Sequence, residues 1–139
     1  MKNDCKNKKV HKYCNEHGIE EDFLYFAIDF DYCSTGFWGS WKEGRKHTAY
    51  NLGQFTFENE SLANEIKNWN NLFDRMLCIT FKKEEFDYGV TKEVAQAMKP
   101  LGMLLARLVK KELPEYPIYY VHYWEDGTRR NRKFIEIKE

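Results

Sequence analysis

The sequence has no apolar run near the ~18–20 residues that a membrane-spanning helix needs. Its charged start, Met1 to Lys9, leads into no apolar stretch, so no secretory signal is expected. It has no net charge: 22 basic residues stand against 22 acidic ones. That balance removes global attraction to nucleic acid or to an anionic membrane. Several chemical signatures are missing too. Gly36 and Gly39 lack both the dinucleotide-binding and the Walker spacing, so no phosphate-cradling loop is present. No serine sits in a nucleophile elbow, and no Cys–His pair has a catalytic spacing. Cysteine is sparse, with Cys5, Cys14, Cys33 and Cys78 in a chain too long and too apolar to need a disulfide framework. Cys33 and Cys78 lie in or beside apolar runs, where a thiol behaves as a small buried hydrophobe.

What is present describes one domain. The 139 residues are 42% hydrophobic, enough for a single core, and the composition is that of a soluble, cytoplasmic protein. Aromatic residues reach 17%, and many of them fall in segments that read as strands. The zero net charge hides blocks. Residues 1–12 carry five lysines and one aspartate. Residues 13–31 carry Glu16, Glu20, Glu21, Asp22, Asp29 and Asp31 with no lysine or arginine. Residues 91–111 and 127–139 are basic again, with five cations each against one and two anions. Such segregation either makes local surface fields or is ordinary variation around a core.

Along the chain, residues 1–18 are polar and lysine-rich and read as frayed or loosely docked, with 19–139 as the folded domain. Phe23–Tyr32 is a strong strand signal. Its alternation puts Leu24, Phe26, Ile28, Phe30 and Tyr32 on a core face, and Tyr25, Ala27, Asp29 and Asp31 on the other. Ser34–Gly44 reads as a loop with three glycines and three large rings, and a second strand is expected within His47–Phe57. Asn59 or Ser61 caps a helix to about Met76, with a stripe of Leu62, Ile66, Trp69, Phe73 and Met76. Leu77–Phe81 reads as a short strand, followed by a polar turn with Glu84, Glu85 and Asp87. Thr91 caps a second helix with a stripe of Val94, Met98, Leu101, Leu105 and Leu108, which Pro100 and Gly102 should kink or split. Pro117–Trp124 and Arg129–Ile137 form a hairpin about Asp126-Gly127, setting Trp124 opposite Arg129, Tyr123 opposite Arg130 and Tyr119 opposite Phe134. The order ββαβαββ predicts an α+β domain: an antiparallel sheet with two main helices packed on it.

Four constellations could carry chemistry. Asp29 and Asp31, two apart on one strand face, could hold a divalent cation or share acid–base roles, or could simply be a solvated face. The run Ile28-Asp-Phe-Asp-Tyr32 is superficially similar to the opening strand of haloacid-dehalogenase-like phosphatases. The later lysine and paired aspartates of that family, and its βα repeats, are absent. Cys5, His11, Cys14 and His17 supply four zinc-type ligands, but their spacing does not match the usual paired ligands, and no metal or cofactor is expected. Trp38 and Trp41 could anchor a partner from an exposed loop, or Phe37 or Trp38 could plug the core. Arg129, Arg130 and Arg132 beside aromatic rings suit single-stranded RNA, or cation–π pairing across a hairpin. Of the histidines beyond the N-terminal segment, His47 and His122, the latter shares a face with Tyr120 and Trp124 and reads as a structural imidazole.

With its acidic stretch Glu16–Asp31, its loop Asp31–Gly39 and its compact α+β pattern, the chain resembles bacterial toxin-immunity proteins, the contact-dependent growth inhibition class among them. The resemblance is one of overall character. It implies a non-enzymatic protein that binds a cognate toxin domain, a nuclease by expectation, and blocks its active site or substrate surface. On that view Glu20, Glu21, Asp22, Asp29 and Asp31 supply charge against a basic cleft, and Trp38 and Trp41 supply apolar anchors. Membrane and direct nucleic-acid partners are not expected. The alternatives are an RNA-interacting or regulatory module using the arginine hairpin, and a metal-dependent phosphoesterase built on Asp29 and Asp31.

Overall fold

A computed structural model of the chain describes residues 5–31, 34–43, 46–80, 92–123 and 132–139. It begins with a helix where loose chain was expected. Helix α1 (Lys8–His17) starts at Asn7, whose side chain accepts the backbone N–H groups of Lys9 and Val10. It stops at Gly18, which takes the left-handed conformation (φ 68°) while the N–H of Ile19 caps the carbonyl of Cys14. Three apolar residues on one face, Val10, Tyr13 and Cys14, are buried in the core. A short stripe between good caps has therefore docked a segment whose composition is almost wholly polar.

Three strands follow: β1 (Tyr25–Ile28), β2 (Phe37–Glu43) and β3 (Lys46–Asn51). Strand β2 occupies most of the expected loop. Gly39 is tolerated in it because a Cβ there would drive into the ring of Phe23, so the missing side chain is what lets that ring pack. Leu52, Phe55 and Phe57, within the span read as a second strand, lie beyond β3 and are buried in the core. Helix α2 (Leu62–Thr80) buries Leu62, Ile66, Trp69 and Phe73, as the stripe predicts. It runs on through residues 77–80, which read as a strand. Helical continuation outweighs the strand preference of that short apolar run. Helix α3 (Lys92–Glu112) is one helix with Pro100 inside it. Pro100 and Gln96 are both exposed, so the Gln96 carbonyl that loses its donor faces water and the helix is not split. Leu101 is 44% exposed, and Gly102 faces Tyr120 and Trp69 in its place.

The chain ends in β4 (Ile118–Tyr123) and β5 (Arg132–Ile137), giving a five-stranded sheet of order β3-β2-β1-β4-β5. The fold is α+β, but the sheet is mixed: β1 pairs antiparallel with β2 and parallel with β4. The reason is topological. Between β3 and β4 the chain travels through α2 and α3 across one face, and it re-enters beside β1 in the same direction. In the hairpin Tyr119 faces Glu136 and Tyr123 faces Arg132, two residues from the expected register. An even shift keeps every side chain on its expected face. The Asp126-Gly127 turn, Trp124, Arg129, Arg130, Thr91, Tyr32, Cys33 and the turn with Glu84, Glu85 and Asp87 lie outside the described residues, as does the side chain of Cys78.

Candidate functional site: the open face of the sheet

The alternation of β1 divides the sheet between two environments. Phe26, Ile28 and Phe30 are buried toward the helices, with Phe30 against Trp69 and Phe73. Leu24, placed with them by periodicity, is 45% exposed, and Phe23 before it is buried in its stead, packed against Gly39 and Phe26. Tyr25, Ala27, Asp29 and Asp31 face the other way, where they line a basin of about 360 Å³ with Trp38, Ser40, Val121, Tyr123, Arg132 and Phe134.

One end of this basin is aromatic. Tyr25, Tyr119 and Phe134 meet edge to face, with centroids 5.2, 6.2 and 5.9 Å apart. The Arg132 guanidinium stands 5.8 Å from the centre of the Phe134 ring. The other end is acidic. The Tyr123 hydroxyl donates to Asp29 Oδ1 at 2.9 Å, and the Trp38 indole N–H donates to the Asp29 carbonyl at 2.9 Å. Burial pushes the Asp29 carboxyl up to about 7, against the pull of the Tyr123 hydrogen bond and Arg132, with Asp31 adding to the rise. The phenol of Tyr123 is raised in turn, by burial first and by Asp29 second. Ser40 is 3% exposed, and among the described residues its hydroxyl has no hydrogen-bond partner.

Asn70 of α2 holds the acidic end in place. Its side-chain oxygen accepts the Asp31 N–H (2.8 Å) and the Ser34 hydroxyl (3.0 Å). Its amide donates to the carbonyls of Asp31 (2.9 Å) and Ser34 (2.8 Å). This fully buried residue therefore serves both ends of the connection between β1 and β2. Gly36, at φ 83° and with Ile66 and Asn70 close by, makes the tight return possible.

The expected binding residues are not gathered into one patch. Asp29, Asp31 and Trp38 line the basin. Glu20 and Glu21 are exposed before β1 and do not line it. Asp22 turns inward, accepting the Tyr116 hydroxyl (2.7 Å) and the backbone N–H groups of Lys6 and Phe23. Trp41 lies on β2 with its side chain outside the description, as is that of His47 on β3. Trp38 is a fixed wall, its indole N–H already bound. Of the three arginines read together, Arg132 lines the basin. Among the described residues no three or more His, Cys, Asp or Glu side chains are arranged to hold a metal. Cys5 and Cys14 sit together beside Asp22, whereas the His17 ring stacks on Tyr13.

Sequence reasoning missed Ser40, Tyr123 and Asn70. The alternation of Tyr119, Val121 and Tyr123 with Ile118, Tyr120 and His122 could have placed Tyr123 on the open face. Nothing local marks Asn70 or Ser40. Chemically, the basin offers aromatic contact, carboxylate charge and one hydroxyl without a partner among the described residues. The cross-strand neighbours of Ser40 are Tyr25 and Ala49, neither an imidazole nor a carboxylate that could activate it. Comparison with known protein families, curated proteins and solved structures finds no match to this chain. Among the described residues, no helix is long and apolar enough to cross a membrane.

Proposed function

We propose that the chain is a cytoplasmic, non-enzymatic inhibitor of the toxin-immunity kind, which docks a basic toxin domain on the open face of its sheet. The observation that carries this reading is the unequal covering of the sheet. The helices bury one face, and the other presents an aromatic basin closed at one end by Asp29 and Asp31. Rigid rings at low entropic cost are what a protein interface uses for contact area, and carboxylates suit the basic cleft of a nuclease. The reading requires a toxin gene beside this chain's own, and the test is inhibition of the nuclease domain that gene encodes. Equimolar chain is expected to abolish its nuclease activity, and Trp38→Ala with Asp31→Lys to raise the inhibitor concentration needed at least tenfold, on the order of 1.4 kcal/mol. A toxin left fully active by excess chain overturns the reading.

A second reading, single-stranded RNA on the same face, draws on Arg132, Phe134, Tyr25 and Tyr119 standing together. It requires salt-dependent oligonucleotide binding that Arg132→Ala removes.

A further inference from the structure

We propose that the basin is a receptor for an arginine or lysine side chain carried on an extended segment of the partner, with Asp29 and Asp31 as its anionic end and Ser40 as a hydrogen-bonding post at the other. This rests on the docking of a basic protein proposed above and names what that protein inserts. Three observations lead to it. The floor between the two ends is Ala27 and Val121, with Trp38, Tyr123, Tyr25 and Phe134 around it. That is the surface on which an aliphatic stem lies while its charged head seeks a ring face or a carboxylate. Asp29 has one oxygen on the Tyr123 hydroxyl, and no described cation forms an ion pair with it. Arg132, the basin's own cation, stands over Phe134 and hydrogen-bonds the Tyr123 hydroxyl, so it draws on the Asp29 carboxyl without forming an ion pair with it. Finally, the Ser40 hydroxyl is buried in the wall with no partner among the described residues, a cost that an incoming backbone or side-chain donor relieves.

Ser40 lies opposite Tyr25, four residues along β1 from Asp29, which makes the two ends ~13 Å apart at strand rise. One side chain cannot span both, so the occupant is a short extended segment with its cation at the Asp29 end.

The chemistry also couples binding to a proton. Asp29 is faced by Tyr123 and Tyr120 from β4, by Arg132 from β5 and by Asp31 on its own segment; the described residues of β2 that line the basin, Trp38, Gly39 and Ser40, carry no titratable group. With the carboxyl at about 7, a cation binds the ionised form, and affinity rises with pH through that value. Between about pH 6 and about pH 8 the gain is roughly tenfold, the change in the ionised fraction.

The experiment titrates the purified chain with the peptide Gly-Gly-Arg-Gly-Gly, followed by backbone amide NMR, with the same peptide carrying neutral citrulline as the control. Saturable shifts centred on Ala27, Asp29, Trp38 and Ser40 are expected, stronger at the higher pH and absent with citrulline. Asp31→Asn, at an exposed position that does not threaten folding, should weaken binding several-fold, and Asp29→Asn should abolish its pH dependence. Equal response to arginine and citrulline, shifts elsewhere, or saturable oligouridylate binding on this face without peptide binding would each overturn the proposal. A chain that inhibits the toxin but ignores the peptide overturns this inference alone, and one that binds the peptide but inhibits nothing overturns the inhibitor reading.

Discussion

Asp29 shows how one residue can be set against the fold that holds it. A carboxyl that titrates at about 7 in the folded chain and near 3.8 when unfolded keeps a proton that unfolding releases between those values. Native stability therefore falls as pH rises across that window, at up to about 1.4 kcal/mol per pH unit, and is lowest above it. Asp29→Asn should flatten the slope and melt above the wild type at about pH 8, with the two curves converging near pH ~4. Parallel melting profiles would refute the assignment. Gly102 makes the opposite case. Alanine in a helix gains roughly 0.5–1 kcal/mol over glycine, but a Cβ at 102 would collide with the rings of Tyr120 and Trp69, both fully buried. Overpacking of that kind costs about 1–3 kcal/mol, so Gly102→Ala should lower the denaturation midpoint despite its better propensity.

Among the elements, the ones legible in the sequence were those whose pattern is complete within a few residues. The alternation of Phe26, Ile28 and Phe30 and the 3–4 spacing of Leu62, Ile66, Trp69 and Phe73 match the buried faces of β1 and α2. Helix α1 was illegible because Val10, Tyr13 and Cys14 are its whole buried face, too short a stripe to stand out among lysines. Strand β2 was hidden by glycines whose role depends on Phe23, Ile66 and Asn70, residues distant in sequence. The candidate site was legible in halves. Asp29, Asp31 and Trp38 drew attention, but the Tyr123–Asp29 bond depends on the parallel pairing of β1 with β4. Asn70 joins α2 to the connection between β1 and β2, and Asn70→Ala would remove its bonds to the Asp31 N–H and to the carbonyls of Asp31 and Ser34, the Asp31 carbonyl keeping the Ser34 N–H and hydroxyl. The expected loss is about 2–4 kcal/mol. Faster hydrogen exchange at Asp31 than at Phe26 would place that loss in the connection, and unchanged exchange at Asp31 would contradict it.

For the whole molecule, the charge blocks of the sequence are scattered by folding. Glu16 stands with Lys9 and Lys12 in a groove beside α1, Asp22 points inward, and Asp29 enters the basin. Lys9 bonds Glu112 at the end of α3, whose carboxylate also accepts the N–H groups of Glu58 and Asn59 just before α2. Against burial, those bonds hold the Glu112 carboxyl below its usual range. The N-terminal helix is thus a structural member of the domain. Deleting residues 1–18 removes three buried side chains, each contributing about 1.5–3 kcal/mol, against a total stability of roughly 5–15 kcal/mol. The shortened chain should lose its cooperative melt by circular dichroism, whereas a sharp transition near that of the full chain would show α1 to be dispensable.

The parallel pairing of β1 with β4 joins Phe26 to Ile118, roughly ninety residues further along the chain. During synthesis at ~5–20 residues per second, the inner edge of β1 is complete on the order of 5–20 s before its partner strand exists. Through that interval Phe26 and Ile28 belong to an unfinished sheet with an open, apolar edge, which is the kind of segment a ribosome-associated chaperone covers.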